Sequence, residues 1–417
     1  MSKLRTKNNI IEMKLNQHLK DWKQIVSGRF FHLSLPQING LATWSFGIVM
    51  TSSSSLSKVS SLIAKINTEP ENNVRQRLKE WYKSGEARRV MRLVVVRRRS
   101  DPFGICTRPG NKRASIEVTK CFGSLLRWVI DLLPQTNQEL PIALDATNIG
   151  QNFTVLSINV LYRRCAIPVA WKVVKGTERG SWKPYWKQLF QSLKEIEIPH
   201  YLVIVSADRG LYADWLYQEI ITLGWHPFLR INHQGQYKAG DSSSWQPLKA
   251  VVTLQNPNWS GRVTCFKSNP IDCTLLAQWD LNYTDPWLIL TDLNPEKADI
   301  RWYRFRSWIE CSYRDLKSDG WQWQKTRFRQ PDRAERHWLA MSVAMLWIVA
   351  LGGEQEVAND RELIGDRSCD SAPSLSCFVN GLLTVLAQLL SGESLSFGRL
   401  FPLPFSHFND LVVVNSS

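Results

Sequence analysis

Apolar residues recur at helical spacing over residues 9–33 and again over 56–67, and the polar run from Thr51 to Ser55 between them reads as a linker or helix start. The pattern then predicts a basic helix from about Val74 to Val90, followed by three consecutive arginines, Arg97, Arg98 and Arg99. Pro102, Gly104, Pro109 and Gly110 mark a loop, and an apolar helix over Ser115 to Leu133 stops at Pro134. Residues 1–135 therefore read as a helical unit. From Pro141 the period changes to short β-prone runs: Ile142–Asp145, Phe153–Leu161 and Ala166–Val174, with Arg163 and Arg164 at the turn between the last two. Trp182 to Ile196 reads as a helix, Tyr201–Ala207 as an apolar strand, Ala213 to Leu223 as a helix and Pro227–Ile231 as a strand.

Three strands, helix, strand, helix, strand is the order of an RNase H-like α/β fold, a mixed sheet flanked by helices. Residues 232–285 break the rhythm with Gly, Ser, Asn and Pro among short β-prone pieces, which predicts a β-rich insertion. A strand at Trp287–Thr291 and a long helix from about Asp299 to Lys317 come next, and Ala334 to Leu351 reads as an apolar helix packed on the sheet. The expected division is a helical DNA-binding domain at 1–135, a catalytic domain at 136–350 and a C-terminal helical tail at 351–417. Within that tail the apolar helix Phe378 to Leu390 either completes the core or forms an interface between protomers.

Charge sharpens the picture. The first 120 positions hold 23 basic and 8 acidic residues, a surplus of 15 that equals the net charge of the whole 417-residue chain. Such asymmetry suits a polyanion, because neutralising phosphates releases condensed counterions. The eight cysteines show neither the close pairs of a zinc site nor a compact disulfide framework, and they read as reduced thiols. No apolar signal core opens the chain, and the longest apolar run, near Leu339 to Leu351, is too short to span a bilayer. The expectation is a cytoplasmic protein, in the bacterial cytosol or nucleoid, with no membrane partner.

Two acids stand at predicted strand ends: Asp145 in Ile-Ala-Leu-Asp-Ala-Thr and Asp208 in Val-Ser-Ala-Asp before Arg209 and Gly210. In open α/β sheets ligands collect outside the carboxyl ends of strands, so two carboxylates there can converge on hard cations. Taken singly, each is as easily a turn or helix cap. The stronger signal is the spacing of Tyr303, Arg306, Glu310 and Lys317, Y-x2-R-x3-E-x6-K. On a regular α-helix these fall at about 0°, 300°, 340° and 320°, one narrow stripe, with Arg314 beside it. One carboxylate among several cations fits an acid that binds metal and cations that hold phosphates. Chance would produce this pattern in roughly one chain of this length in several hundred.

With these motifs the chain resembles the insertion-sequence family 4 group of bacterial DDE transposases, over about Pro141 to Val349. The resemblance rests on Leu-Asp-Ala-Thr, Ala-Asp-Arg-Gly, the β-rich insertion and the complete Tyr-Arg-Glu-Lys pattern. It implies that Asp145, Asp208 and Glu310 bind two catalytic Mg²⁺ ions, for which Mn²⁺ substitutes, and that Tyr303, Arg306 and Lys317 hold phosphates of the transposon end. It implies further that Trp287 stacks on a flipped base. Some relatives carry a tryptophan directly after the motif arginine, where this chain has Ser307 and then Trp308. The implied activity is cutting at terminal inverted repeats and strand transfer into target DNA, with a homodimer bringing two ends together. The implied reaction is an in-line displacement between two metals ~3.5–4 Å apart, without a covalent protein–DNA intermediate. Arg97, Arg98 and Arg99 with the basic helix are the candidate contacts to the repeats. Two other readings stay open: another RNase H-like nuclease, and a DNA-binding derivative that has lost catalysis.

Overall fold

A computed structural model describes residues 2–83, 115–134, 138–180, 182–240, 242–280, 284–363 and 375–401. The N-terminal part consists of α1 (Ser2–Arg29), α2 (Leu35–Thr51), α3 (Leu56–Asn67), α4 (Glu71–Trp81) and α5 (Thr119–Leu132). Helix α2 falls where the periodicity leaves residues unassigned. Nine of its residues are buried, from Ile38 to Val49, and a helix apolar on nearly every side carries no stripe to detect. Its start is written locally, in a capping box formed by Ser34 and Gln37.

Helix α4 ends at Trp81 rather than continuing to Val90. The Tyr82 ring packs edge-on against Phe328, and the Tyr82 carbonyl accepts a hydrogen bond from Arg336 Nη1 at 3.0 Å, so that oxygen is taken by a tertiary partner. Arg97, Arg98 and Arg99 lie outside the described residues.

Ten strands form one mixed sheet in the order β3-β2-β1-β4-β5-β10-β9-β8-β6-β7. They are β1 (Gln138–Ile149), β2 (Phe153–Tyr162), β3 (Cys165–Lys175), β4 (Tyr201–Ala207), β5 (His226–Arg230), β6 (Gln236–Ala239), β7 (Gln246–Pro247), β8 (Asn258–Cys265), β9 (Ile271–Gln278) and β10 (Trp287–Thr291). Strands β1, β4 and β5 run parallel, joined through α6 (Lys183–Leu193) and α7 (Asp214–Thr222), while β2 and β3 fold back antiparallel. This mixed α/β arrangement agrees with the order expected of an RNase H-like sheet. The strands of the expected insertion do not form a layer of their own: β9 pairs with β10 and β10 with β5, so they extend the same sheet.

Helix α9 (Pro331–Leu363) crosses the core and packs against β3, α2 and α10 (Cys377–Ser391). It is longer than its apolar run foretells, and by length and composition it could cross a membrane. In the protein 94% of its apolar window is buried, chiefly by protein elements on both sides. The α9–α10 crossing is close enough that a Cβ on Gly352 would meet the Cys377 carbonyl oxygen at 1.8 Å, so only glycine fits there. Trp22 of α1 stacks on Trp347 of α9 at 4.5 Å, and the N-terminal helices and the sheet thereby share one core.

Candidate active site

Parallel pairing of β1 with β4 ends at Leu144 opposite Ala207, and pairing of β4 with β5 ends at Ala207 opposite Leu229. The next residue on each strand is therefore Asp145, Asp208 and Arg230, side by side across strands ~4.8 Å apart. Asp145, expected at a strand end, lies inside its strand instead. Strand β1 continues to Ile149, carried by β2 alone, with Asp145 opposite Ser157. Asp208 does come directly after the last residue of its strand.

The helix expected over Asp299–Lys317 is three pieces: a tight 3₁₀ stretch at Ile300–Ser307, α8 (Trp308–Arg314) and a wide π turn at Asp315–Asp319. Winding changes twice across the motif, so the single stripe drawn for a regular α-helix does not exist. Tyr303 and Arg306 nevertheless reach Asp208. The Tyr303 hydroxyl lies 3.5 Å from Asp208 Oδ1, and Arg306 Nη2 lies 3.5 Å from Oδ2. Arg306 Nη1 stands 3.7 Å from Glu310 Oε1, so one guanidinium lies between two acids, and that nitrogen is buried without a hydrogen-bond partner.

Lys317 goes to the other flank of Asp145. Its Nζ donates to the Thr147 hydroxyl at 2.5 Å and lies 5.4 Å from the centre of the Tyr313 ring. Arg314 turns away, facing Asp319 at 3.5 Å with both side chains more than half exposed, and it takes no part in the cluster. Trp287 meets Tyr303 edge-to-face at 5.3 Å, with the Arg304 guanidinium over its ring at 5.9 Å. Trp287 and Arg304, with Gln278, Asp280 and Asp285, line a small cleft.

Burial pushes the Asp145 carboxyl above its ordinary range, with Arg306 opposing. Burial also raises the Tyr303 phenol to about 12, so it stays a hydrogen-bond donor at neutral pH. For Lys317 burial lowers the ammonium, and Asp145 opposes. Burial works against the charge of Arg306, but Tyr303, Asp145 and Asp208 together hold it above the usual value. The acids differ in access: the Asp208 side chain is 39% exposed and that of Glu310 68%, so Glu310 is free to turn. Among the described residues, no three His, Cys, Asp or Glu side chains stand close enough to hold a metal ion as they lie.

Two participants escape local sequence reasoning. Arg230 Nη1 lies 3.9 Å from Asp208 Oδ1. Tyr313, fully buried, shares a 2.6 Å hydrogen bond with Ser157 and donates to the Asp145 carbonyl at 3.4 Å, fixing the backbone that carries the first acid. An arginine closing Pro-Phe-Leu-Arg would have been the only hint of the first, since its neighbour is set by sheet order.

Residues 156–347 match the family of the transposase DDE domain. The matched span contains Asp208, Arg230, Tyr303, Arg306, Glu310 and Lys317 and begins after Asp145. That family implies an enzyme of the transposase or nuclease type. No curated protein matches the chain.

Proposed function

We propose that this protein is a DDE transposase that cuts an insertion sequence at its terminal inverted repeats and joins it to target DNA, with Asp145, Asp208 and Glu310 as the catalytic acids. The observation that carries the reading is the register: two acids some 60 residues apart in sequence come side by side where the β1–β4 pairing ends, and a third faces them across Arg306. The match to the transposase DDE domain supports it independently.

The donor set fits a hard dication. All three groups offer carboxylate oxygens, two are in register, the third sits on an exposed side chain, and the cluster already draws one positive charge into its middle. The fit requires Arg306 to yield its place. Asp145, Asp208 and Glu310 would then hold two Mg²⁺ ions, or Mn²⁺ in their stead. Bound there, the ions supply Lewis acidity for in-line displacement at phosphorus. Tyr303 donates through its protonated hydroxyl, and Arg306 offers a two-pronged fork that suits a phosphate diester. Lys317 holds positive charge on the far side of Asp145, so the strand is gripped on both flanks of the cut. Trp287 offers a ring beside the cleft for an unstacked base. Residues 1–135 recognise the terminal repeats, 136–350 cut them, and 351–417 support a homodimer that pairs two ends.

Purified protein with Mg²⁺ is expected to nick a duplex carrying its own element's ends and join it to a second duplex. Asp208→Ala should bind that duplex and leave it uncut. Cleavage by that variant at the wild-type rate would remove Asp208 from the site, and cutting without joining would favour a nuclease.

A further inference from the structure

Arg230 ends β5 in the same row as the two aspartates, on the side of Asp208 away from Asp145. Its side chain is 20% exposed, and Asp208 is its one carboxylate partner among the described residues. Asp208 is thus flanked by two guanidiniums, Arg230 at 3.9 Å and Arg306 at 3.5 Å, and both gaps exceed the 2.7–3.2 Å of a formed N–H···O bond. The charges attract, yet neither arginine has committed its donors to this carboxylate. Asp208 is also 39% exposed, so a ligand can reach the carboxylate and the two arginine forks around it.

We infer that Arg230 is a contact for a DNA backbone phosphate, held in reserve by Asp208 until that carboxylate turns to a metal ion. The inference rests on the proposed function, which gives Asp208 its second partner and the site its DNA. One carboxylate cannot serve both cations fully. Once Asp208 faces a metal, Arg230 loses that acidic partner and its planar fork is left for a phosphate on the β5 side of the row. Linkage then works in both directions: whatever draws Asp208 away strengthens DNA binding, and bound DNA strengthens the hold on the metal by the same factor.

The test needs no cleavage. The full chain is titrated, with chelator present and no divalent ion, against a fluorescein-labelled duplex of arbitrary sequence, and anisotropy is read at several salt concentrations. Wild type, Asp208→Asn, Arg230→Ala and the double variant form a cycle. In the wild type, where Asp208 holds the arginine, Arg230→Ala should weaken binding less than about twofold. In the Asp208→Asn background the same change should cost about tenfold and reduce the salt slope by about 0.9, one phosphate's worth. Equal losses in both backgrounds, or none in either, would overturn the inference, because removing a repelling carboxylate improves binding whether or not Arg230 is present. Thermal melts check folding of each variant, and Arg230→Gln replaces Arg230→Ala in the cycle if the alanine variant does not fold. The two readings fail separately. A cycle that behaves as expected in a protein that never cuts its element's ends with Mg²⁺ leaves the phosphate contact and removes the catalysis, and cutting with a flat cycle does the reverse.

Discussion

Two arginine–carboxylate clusters sit within this sheet, and they are built to opposite rules. At the turn between β2 and β3, Arg163 and Arg164 grip Glu356 of α9 at 3.1 and 3.0 Å, and Arg163 Nε also donates to the Phe401 carbonyl at 2.8 Å. Glu356 and Arg163 are almost wholly removed from water. Around Asp208 the corresponding distances are 3.5 to 3.9 Å, Asp208 and Glu310 are open to solvent, and one guanidinium nitrogen lacks a partner. The first cluster is complete and has nothing left to offer a ligand. In the second, Asp208 accepts the Arg209 backbone N–H at 2.8 Å, but the guanidiniums around it stop short of formed bonds, which leaves their donors open to a phosphate. Closeness of pairing therefore separates a staple from a binding site even when the residue types are the same.

The largest effect that would break this contrast is on the staple. Glu356→Ala leaves two guanidiniums without their carboxylate, one of them buried, and should cost about 3–5 kcal/mol of stability, read as a fall in the urea midpoint. A loss below about 1 kcal/mol would mean the pairing is dispensable. A buried group with no charged partner sharpens the contrast from the other side. His337 of α9 lies among the rings of Trp44, Tyr82 and Phe328, and burial pushes its imidazole down to about 3. The unfolded chain takes up this proton near pH 6.5 and the folded chain only near 3. Stability is thus full above pH 6.5 and falls by about 1.4 kcal/mol per unit as the pH drops between those values. His337→Phe should remove that share of the slope in denaturation measured at about pH 7, 5 and 4, and an unchanged slope would assign the acid sensitivity elsewhere. The smallest effect on stability belongs to the site itself. Glu310→Ala, on an exposed side chain with a single loose ion pair, should shift stability by less than about 0.5 kcal/mol while abolishing cleavage. A marked drop in melting temperature would show that Glu310 supports the fold.

How much is legible in the sequence depends on the range of each signal. The strand Tyr201–Ala207 is found with its observed bounds, because a short apolar run, interrupted only by Ser206 and set between polar flanks, is a purely local message. Helix α2 is not, since burial on almost every side erases the period that reveals a helix. The spacing of Tyr303, Arg306, Glu310 and Lys317 identifies the right residues through an assumed regular helix that the chain does not form. Arg306 and Glu310 remain neighbours because four residues apart spans about one turn in either winding. Arg314, the last residue of α8, is lost from the cluster because its side chain turns to Asp319, and Lys317, within the π turn, reaches Thr147. Arg230 could not be found at all, for its place beside Asp208 depends on which strand lies next to β4, a fact no local window contains.

The seam where β10 joins β5 consists of two residue pairs, and one of them is Ile289 opposite Arg230. The two strands meet there directly, edge to edge, with only the hydrogen-bond ladder between them. A load placed on the far strands, by a long rigid duplex leaning on them, would therefore be delivered to the backbone of the very arginine that borders Asp208. The outer strands are thus tied by backbone pairing into the row that holds Arg230 and Asp208.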